Sequence, residues 1–313
     1  MFLFVAADHE SLGRTAVTAR QEAPGAKLLI ELHAPKSHSQ PHPMQIKVGY
    51  ELVYELPQPT PMILALNIHY SRASSIVVPD HMRTDPMVPI ASFRDGFGNW
   101  CNRLVAPQGK FRIWADGMVN DPGTLDRFAP EAHEYPVEQL PEEALVFLQG
   151  SRYCETDKLS ELAWKNFSGG APGWARVQRI CDFVHQHIKF GYEFADPTKT
   201  AWDAFHQRKG VCRDFTHLAV AFCRCMNIPA RYCTGYLGDI GIPPVDAPMD
   251  FAAWFEVYLG GTWHTFDPRN NTPRIGRVLI ARGRDAADVP LTITFGPNKL
   301  ESFRVFTDEV TSR

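Results

Sequence analysis

The chain has 313 residues, of which 44% are hydrophobic, 12% aromatic and 21% charged, enough for about two domains with buried cores and too apolar for a disordered or fibrous chain. A net charge of −3 offers no basic field for nucleic acid or an anionic membrane. No apolar run approaches the ~18 residues of a membrane-spanning helix. The opening Met1-Phe-Leu-Phe-Val-Ala-Ala lacks the leading Lys or Arg of a secretory signal.

Residues 1–43 read as an extension or linker, ending in a stretch rich in His and Pro. His38 and His42 stand four apart, but Pro41 and Pro43 deny them a helix and hence a metal-binding face. Residues 44–135 are β-rich. Ile46, Val48, Tyr50, Leu52 and Tyr54 alternate with Lys47, Gly49 and Glu51, as a half-buried strand would. Leu64, Leu66, Ile68 and Tyr70 repeat that period and predict a second strand. Asp95-Gly-Phe-Gly-Asn99 is a turn leading into Trp100–Leu104, and Phe111, Ile113 and Ala115 alternate again. Short strands with turns between them predict an antiparallel β-sandwich.

Residues 136–156 connect this part to the next. From 157 to 300 the pattern changes to α+β. Trp174, Val177, Cys181, Val184 and Ile188 follow the 3-4-3-4 spacing of a helix with one buried face. A second helix is predicted from near Cys212 to Asn227-Ile-Pro229. Strands follow at 230–237, 251–259 and 262–267, the last two joined by the hairpin pair Gly260-Gly261. Residues 301–313 read as a C-terminal tail.

The seven cysteines, at 101, 154, 181, 212, 223, 225 and 233, are odd in number and form no C-x-x-C pair. They predict free thiols in a reducing, cytoplasmic setting rather than a disulfide scaffold. Cys212 stands apart. In Arg208-Lys-Gly-Val-Cys-Arg-Asp-Phe215 a glycine leads the chain into a helix whose first turn carries the thiol. Unpaired N–H groups and the helix dipole favour a thiolate there and could hold an oxyanion. A small buried core cysteine is the other reading of the same residue. Asp267, closing Trp263-His-Thr-Phe-Asp before Pro268, is placed either to orient a base or to make a turn.

Gly210-Val-Cys-Arg-Asp-Phe-Thr-His-Leu-Ala-Val-Ala221, Asn227-Ile-Pro-Ala-Arg-Tyr-Cys-Thr-Gly-Tyr236, Ala253-Trp-Phe-Glu-Val-Tyr258 and Trp263-His-Thr-Phe-Asp267 together resemble the core of the transglutaminase-like superfamily. The similarity is to its bacterial transglutaminase-like, cysteine-protease group. Ser151-Arg-Tyr-Cys-Glu-Thr-Asp157, Arg282-Gly-Arg-Asp285 and Asp95-Gly-Phe-Gly-Asn99 extend it over about residues 45–300. The resemblance implies a papain-like core of helices on an antiparallel sheet, and a Cys-His-Asp triad acting on peptide or protein amides without a cofactor or metal.

On that resemblance Cys212 matches the nucleophile and Asp267 the orienting acid. The histidine belongs two residues before Trp254, where this chain has Ala252. His264 has the wrong strand parity to replace it. His217 lies about 140° round the helix from Cys212; it reads either as a surrogate base or as a buried histidine donating a structural hydrogen bond. Asn270 and Asn271 are polar candidates for lining a cleft. A metal site on Cys212, His217 and Cys223 matches no ligand spacing.

Two functions follow. One is a thiol amide hydrolase or acyltransferase working through a Cys212 thioester, at reduced rate because Ala252 cannot take a proton. The other is an inactive module of the same fold that binds a peptide or serves as a scaffold.

Overall fold

The structure, a computed structural model, describes residues 43–244 and 249–310. The extension and its histidines His38 and His42, at 1–42, lie outside the described residues.

Alternating apolar side chains build two facing antiparallel sheets. The strands are β1 (Met44–Leu56), β2 (Thr60–Leu64), β3 (Ile76–Val78), β4 (Arg83–Asp85), β5 (Ala91–Arg94), β6 (Trp100–Ala106) and β7 (Gly109–Asp121). β1, β7, β3 and β4 form most of one sheet, and β2, β6 and β5 most of the other. Tyr50, Leu52, Tyr54, Phe111 and Ile113 are fully enclosed between them. The second predicted strand is displaced. β2 ends at Leu64, and Tyr70–Ser75 is a 3-10 turn. Leu66 and Ile68 are buried as the alternation requires. However, Ala65 and His69 donate their N–H groups to Leu291 and Leu279 rather than to a continuous ladder.

Helices follow: α1 (Glu142–Leu145), α2 (Thr156–Phe167), α3 (Trp174–His187), α4 (Ala201–Gln207) and α5 (Cys212–Cys225). The short pair β8 (Lys189–Phe190) and β9 (Lys209–Gly210) runs parallel in front of α5. The core sheet is β10 (Ala230–Tyr236), β11 (Ala252–Leu259), β12 (Thr262–Phe266) and β13 (Val278–Gly283), in the order β12-β11-β10-β13. Gly260 and Gly261 both take positive φ, 55° and 83°, as the hairpin requires. Along β11, Phe255, Val257 and Leu259 face the helices, while Ala252 and Trp254 pack on the other side with Cys233 and Leu279.

α5 is the centre of the second core. All its residues after Cys212 are buried. At its far end the buried Arg224 guanidinium donates to Ala230 O (3.0 and 2.8 Å), Gln149 O (3.0 Å), Ser151 Oγ (3.0 Å) and Arg284 O (2.5 Å). One side chain thus fastens the helix to three separate segments.

The last residues correct an expectation. Instead of a tail, residues 301–310 belong to β15 (Lys299–Val310), paired antiparallel along β1, while β14 (Thr292–Thr294), in the segment expected to be core, pairs with β2 in the sandwich. The sandwich is therefore built from both ends of the described chain, with the helices and core sheet between them in sequence. The register shifts opposite Val53 and Tyr54, where Glu301 is the extra residue of β15. That bulge lets Leu300 and Phe303, an odd number of residues apart, both pack on the sandwich core. The two parts are also joined at the Asp95–Asn99 turn. Asn99 donates to Arg282 O at 2.8 Å and accepts from Arg282 N–H at 2.9 Å, while Asp95 closes the turn on the Phe97 and Asn99 N–H groups.

Candidate functional site

Cys212 is the first residue of α5 and is half-buried. Asp214, in the same turn, accepts the Val211 N–H at 2.9 Å and sits 3.3 Å from Arg213 Nη2 and 3.8 Å from Lys199 Nζ. Its carboxylate occupies the space where Gly210 has no Cβ. Gly210 is therefore needed for room, not for a left-handed turn, and Arg213 and Asp214 are structural.

The thiol opens on a cavity of about 150 Å³ whose walls include Phe190, Tyr192, Asp250, Ala252, Arg269 and Asn270. Ala252 and Cys212 thus line the same cavity. Asp250, two residues earlier, is half-buried, and its Oδ1 accepts the Phe251 N–H at 2.7 Å. Burial pushes this carboxyl up to about 7. Burial, and then the Asp250 charge, pushes the Cys212 thiol up to about 12, against a hydrogen bond to the Ala253 backbone. Enclosure and a nearby carboxylate thus act in the direction opposite to the thiolate expected at a helix start.

Asp267 closes β12 on the side of Trp254. Its side chain is 3% exposed and fully engaged. Oδ1 accepts the N–H groups of Arg269 (3.1 Å) and Asn270 (3.0 Å), and Oδ2 accepts Asn270 Nδ2 at 2.7 Å. The Arg277 guanidinium lies 2.9 Å from Oδ2 and also grips Asp126 at 2.9 Å. Arg277 stands 5.2 Å over the Trp254 ring. An arginine and an asparagine therefore occupy the carboxylate that an imidazole would use.

No other histidine takes over among the described residues of the cavity wall. His217 is buried, with its ring stacked on Tyr153 at 5.1 Å, and its Nε2 accepts the Ala286 N–H at 3.1 Å. Burial, with Arg213 and Arg224 nearby, lowers its pKa well below the ordinary histidine value. It is a structural acceptor, not the donor that the sequence suggested, and it does not face the thiol. His264 is buried edge-on to Trp174 at 5.4 Å, on the helix side of the sheet opposite Asp267. Asn270 lines the cavity, whereas Asn271 is held by Gln178 and Asp182 on α3.

Sequence reasoning missed Asp250, Arg274 and Arg277. Asp250 precedes its strand without a motif. The pair Arg274 and Arg277 is visible only as two basic residues after a turn, with nothing to show that they are buried.

The comparisons agree with this architecture. The model of the transglutaminase-like superfamily matches residues 163–268, from α2 to just past Asp267. An uncharacterized protein of Mycobacterium tuberculosis (strain ATCC 25618 / H37Rv) is 36% identical over 224 residues, 63% of this chain and 69% of the relative. An uncharacterized protein of Mycobacterium leprae (strain TN) is 38% identical over 90 residues, 28% of this chain and 32% of the relative, so the chain spans about a third of that protein's length. A solved structure from Cytophaga hutchinsonii, named a "putative cysteine protease", is similar with a TM-score of 0.74 and 30% identity, over 87% of this chain and 92% of that one. With helices on an antiparallel sheet, a cysteine opening the central helix and relatives of this extent, the chain belongs to the transglutaminase-like superfamily.

Proposed function

We propose that the chain binds an amide-bearing peptide or protein segment at the Cys212 cavity, and that any acyl transfer to the thiol is slow. The observation that carries this reading is the arrangement of the cavity: Cys212 beside Ala252 and Asp250, with no histidine among the described lining residues and Asp267 already engaged by Arg277 and Asn270. Acyl transfer would join Cys212 Sγ to the amide carbonyl carbon, release the amine with the thiol proton, and pass the acyl group from the thioester to water or a second amine. Positioned general-base help is worth about 10²–10⁴ in rate, and losing one member of a triad can cost nearly as much as losing all of it. Cysteine retains a residual rate because its thiolate is an intrinsically strong nucleophile. Binding without turnover is the limit of the same reading.

The test is release of amine from a panel of peptide amides, with binding measured in parallel, for the protein and for Cys212→Ala. The expected result is slow release by the protein, none by Cys212→Ala, and peptide binding by both. Rapid release at neutral pH, or equal release by Cys212→Ala, would overturn the proposal.

A further inference from the structure

Asp250 is the one carboxyl of the Cys212 cavity wall that makes no ion pair among the described residues. The Ala253 backbone hydrogen-bonds the Cys212 thiol, which sets the sulfur against the start of β11. Asp250 and Ala252 come from that same segment and line the same cavity. Oδ1 of Asp250 accepts the Phe251 N–H at 2.7 Å. Oδ2 has no hydrogen-bond partner among the described residues, and it remains accessible, since Asp250 is half-buried and borders the cavity. A carboxylate so enclosed ordinarily has a cation against it.

The other charged and titratable groups of the wall do not supply one. Arg274, in the segment after β12, donates to Gly238 O at 2.8 Å and stands 3.9 Å from Asp239, the other carboxylate of the wall. Arg269 donates to Asn270 Oδ1 at 2.8 Å and lies 4.2 Å over the Phe190 ring. Tyr192, in the turn after β8, and Cys212 are both pushed up to about 12, by burial first and then by the Asp250 charge, so both are neutral at pH 7. Without a cation, burial favours the neutral acid, and the Asp250 carboxyl stands at about 7. A neutral carboxyl has one O–H to donate. Because Oδ1 already accepts from Phe251, the proton belongs on Oδ2, the atom a ligand can reach. An acid kept neutral by its surroundings can then hydrogen-bond a carbonyl oxygen.

We infer that Asp250 donates from Oδ2–H to the carbonyl oxygen of the ligand's amide, and so selects an amide over an amine at this cavity. This rests on the reading that the cavity takes an amide, and adds the group that recognises it. An amine would bring an ammonium to a wall that already holds Arg269 and Arg274, and a neutral Asp250 has no charge to offer it. The donor is present below about pH 7 and is lost as pH rises through that value, when the carboxylate repels the carbonyl oxygen. The cavity, at about 150 Å³, is of the size that holds one benzene ring, which makes benzamide a suitable probe.

The test is calorimetric titration of the full chain with benzamide and with benzylamine at pH 5 and pH 8. Benzamide is expected to bind at pH 5 and to weaken by about tenfold at pH 8, since about nine in ten carboxyls have lost their proton one unit above their pKa. Binding at pH 8 is expected to take up close to one proton, read from the heats in two buffers. Asp250→Asn keeps a donor and has no proton to lose. It is expected to bind benzamide equally at both pH values, with an affinity within about threefold of the unaltered chain at pH 5. Asp250→Ala is expected to bind about tenfold more weakly at pH 5, the scale of one hydrogen bond. Absence of benzamide binding at pH 5, equal affinity of the unaltered chain at both pH values, tighter binding of benzylamine at pH 5, or full affinity in a folded Asp250→Ala variant would each overturn the inference. If Asp250→Ala does not fold, the pH dependence of the unaltered chain and of Asp250→Asn decides. Benzamide bound in this way, with peptide amides neither bound nor cleaved, would strike the proposed function and uphold the part of Asp250. Peptide amides bound equally at pH 5 and pH 8 would do the reverse.

Discussion

Asp267 has about four acceptor positions; two backbone N–H groups and Asn270 take three of them, and the Arg277 guanidinium stands 2.9 Å from Oδ2. A histidine restored at 252 would need one of them. Ala252→His alone is therefore expected to raise the alkylation rate of Cys212 at pH 7 only modestly. Ala252→His with Asn270→Ala, which vacates a position on Oδ2, is expected to raise it by about 10² or more, the range of general-base assistance. A comparison of alkylation rates checks this, and an equal effect of the two variants would count against the competition. Asp250 gives a second residue-level prediction. Its pKa is raised from about 4 to about 7 in the folded chain, so the folded state holds a proton that the unfolded state has released across that window. Stability attributable to this group falls as pH rises from about 4 to 7. Asp250→Asn is expected to flatten that fall and to be more stable than the unaltered chain at pH 8, as urea unfolding at pH 5 and pH 8 would show. At this scale the sequence singled out Cys212, Ala252 and Asp267 by motif and spacing, and Cys212 and Ala252 line one cavity. It could not say which donors would reach Asp267, or that Asp250 would share the thiol cavity, because those contacts come from segments brought together only by folding.

Several elements were legible from their periodicity. α3 and α5 announced themselves by 3-4 spacing, and β11 and β12 by alternation around Gly260-Gly261. α2 and α4 were missed. α4 is only seven residues long and depends on the Thr200–Asp203 capping box for its start. The helix start at Cys212 depends on Gly210, whose missing Cβ makes room for the Asp214 carboxylate. Gly210→Ala is expected to cost about 1–3 kcal/mol, the scale of overpacking, and to loosen the cap on Val211. At the other end of α5, Arg224→Met removes the donor shared by four oxygen acceptors. Each buried acceptor left unpaired costs about 1–3 kcal/mol, so a loss of about 3 kcal/mol or more is expected in urea unfolding. A loss below about 1 kcal/mol would mean that water reaches those carbonyls.

In the whole molecule, the sandwich encloses the sequence of the core, because β14 and β15 return to pair with β2 and β1. A chain ended at residue 298 keeps every residue of the Cys212 cavity yet bares the edge of β1 and the core under Val305. It is expected to aggregate or to lose cooperative unfolding, visible by size-exclusion chromatography and circular dichroism. A soluble, two-state truncated chain would show that β15 is dispensable. The two-part α+β plan was readable from composition and periodicity. The closure was not, because residues 299–310 pair with β1 at the opposite end of the described chain, a partner that no local pattern names. Among the described residues no helix is long and apolar enough to cross a membrane, and all seven cysteines are free. Cys212 alone is half-buried; the other six are buried.

That contrast allows the most direct test of the central claim, that the cavity holds a protonated thiol without a base. The measurement is alkylation of each cysteine against pH, resolved by mass spectrometry, with the six buried cysteines as internal controls. With the thiol pushed up to about 12, Cys212 is predicted to react slowly at pH 7 and steadily faster into the alkaline range, without a plateau near neutrality. Rapid, selective alkylation of Cys212 below pH 7 would contradict the account and point to a stabilised thiolate ready for catalysis.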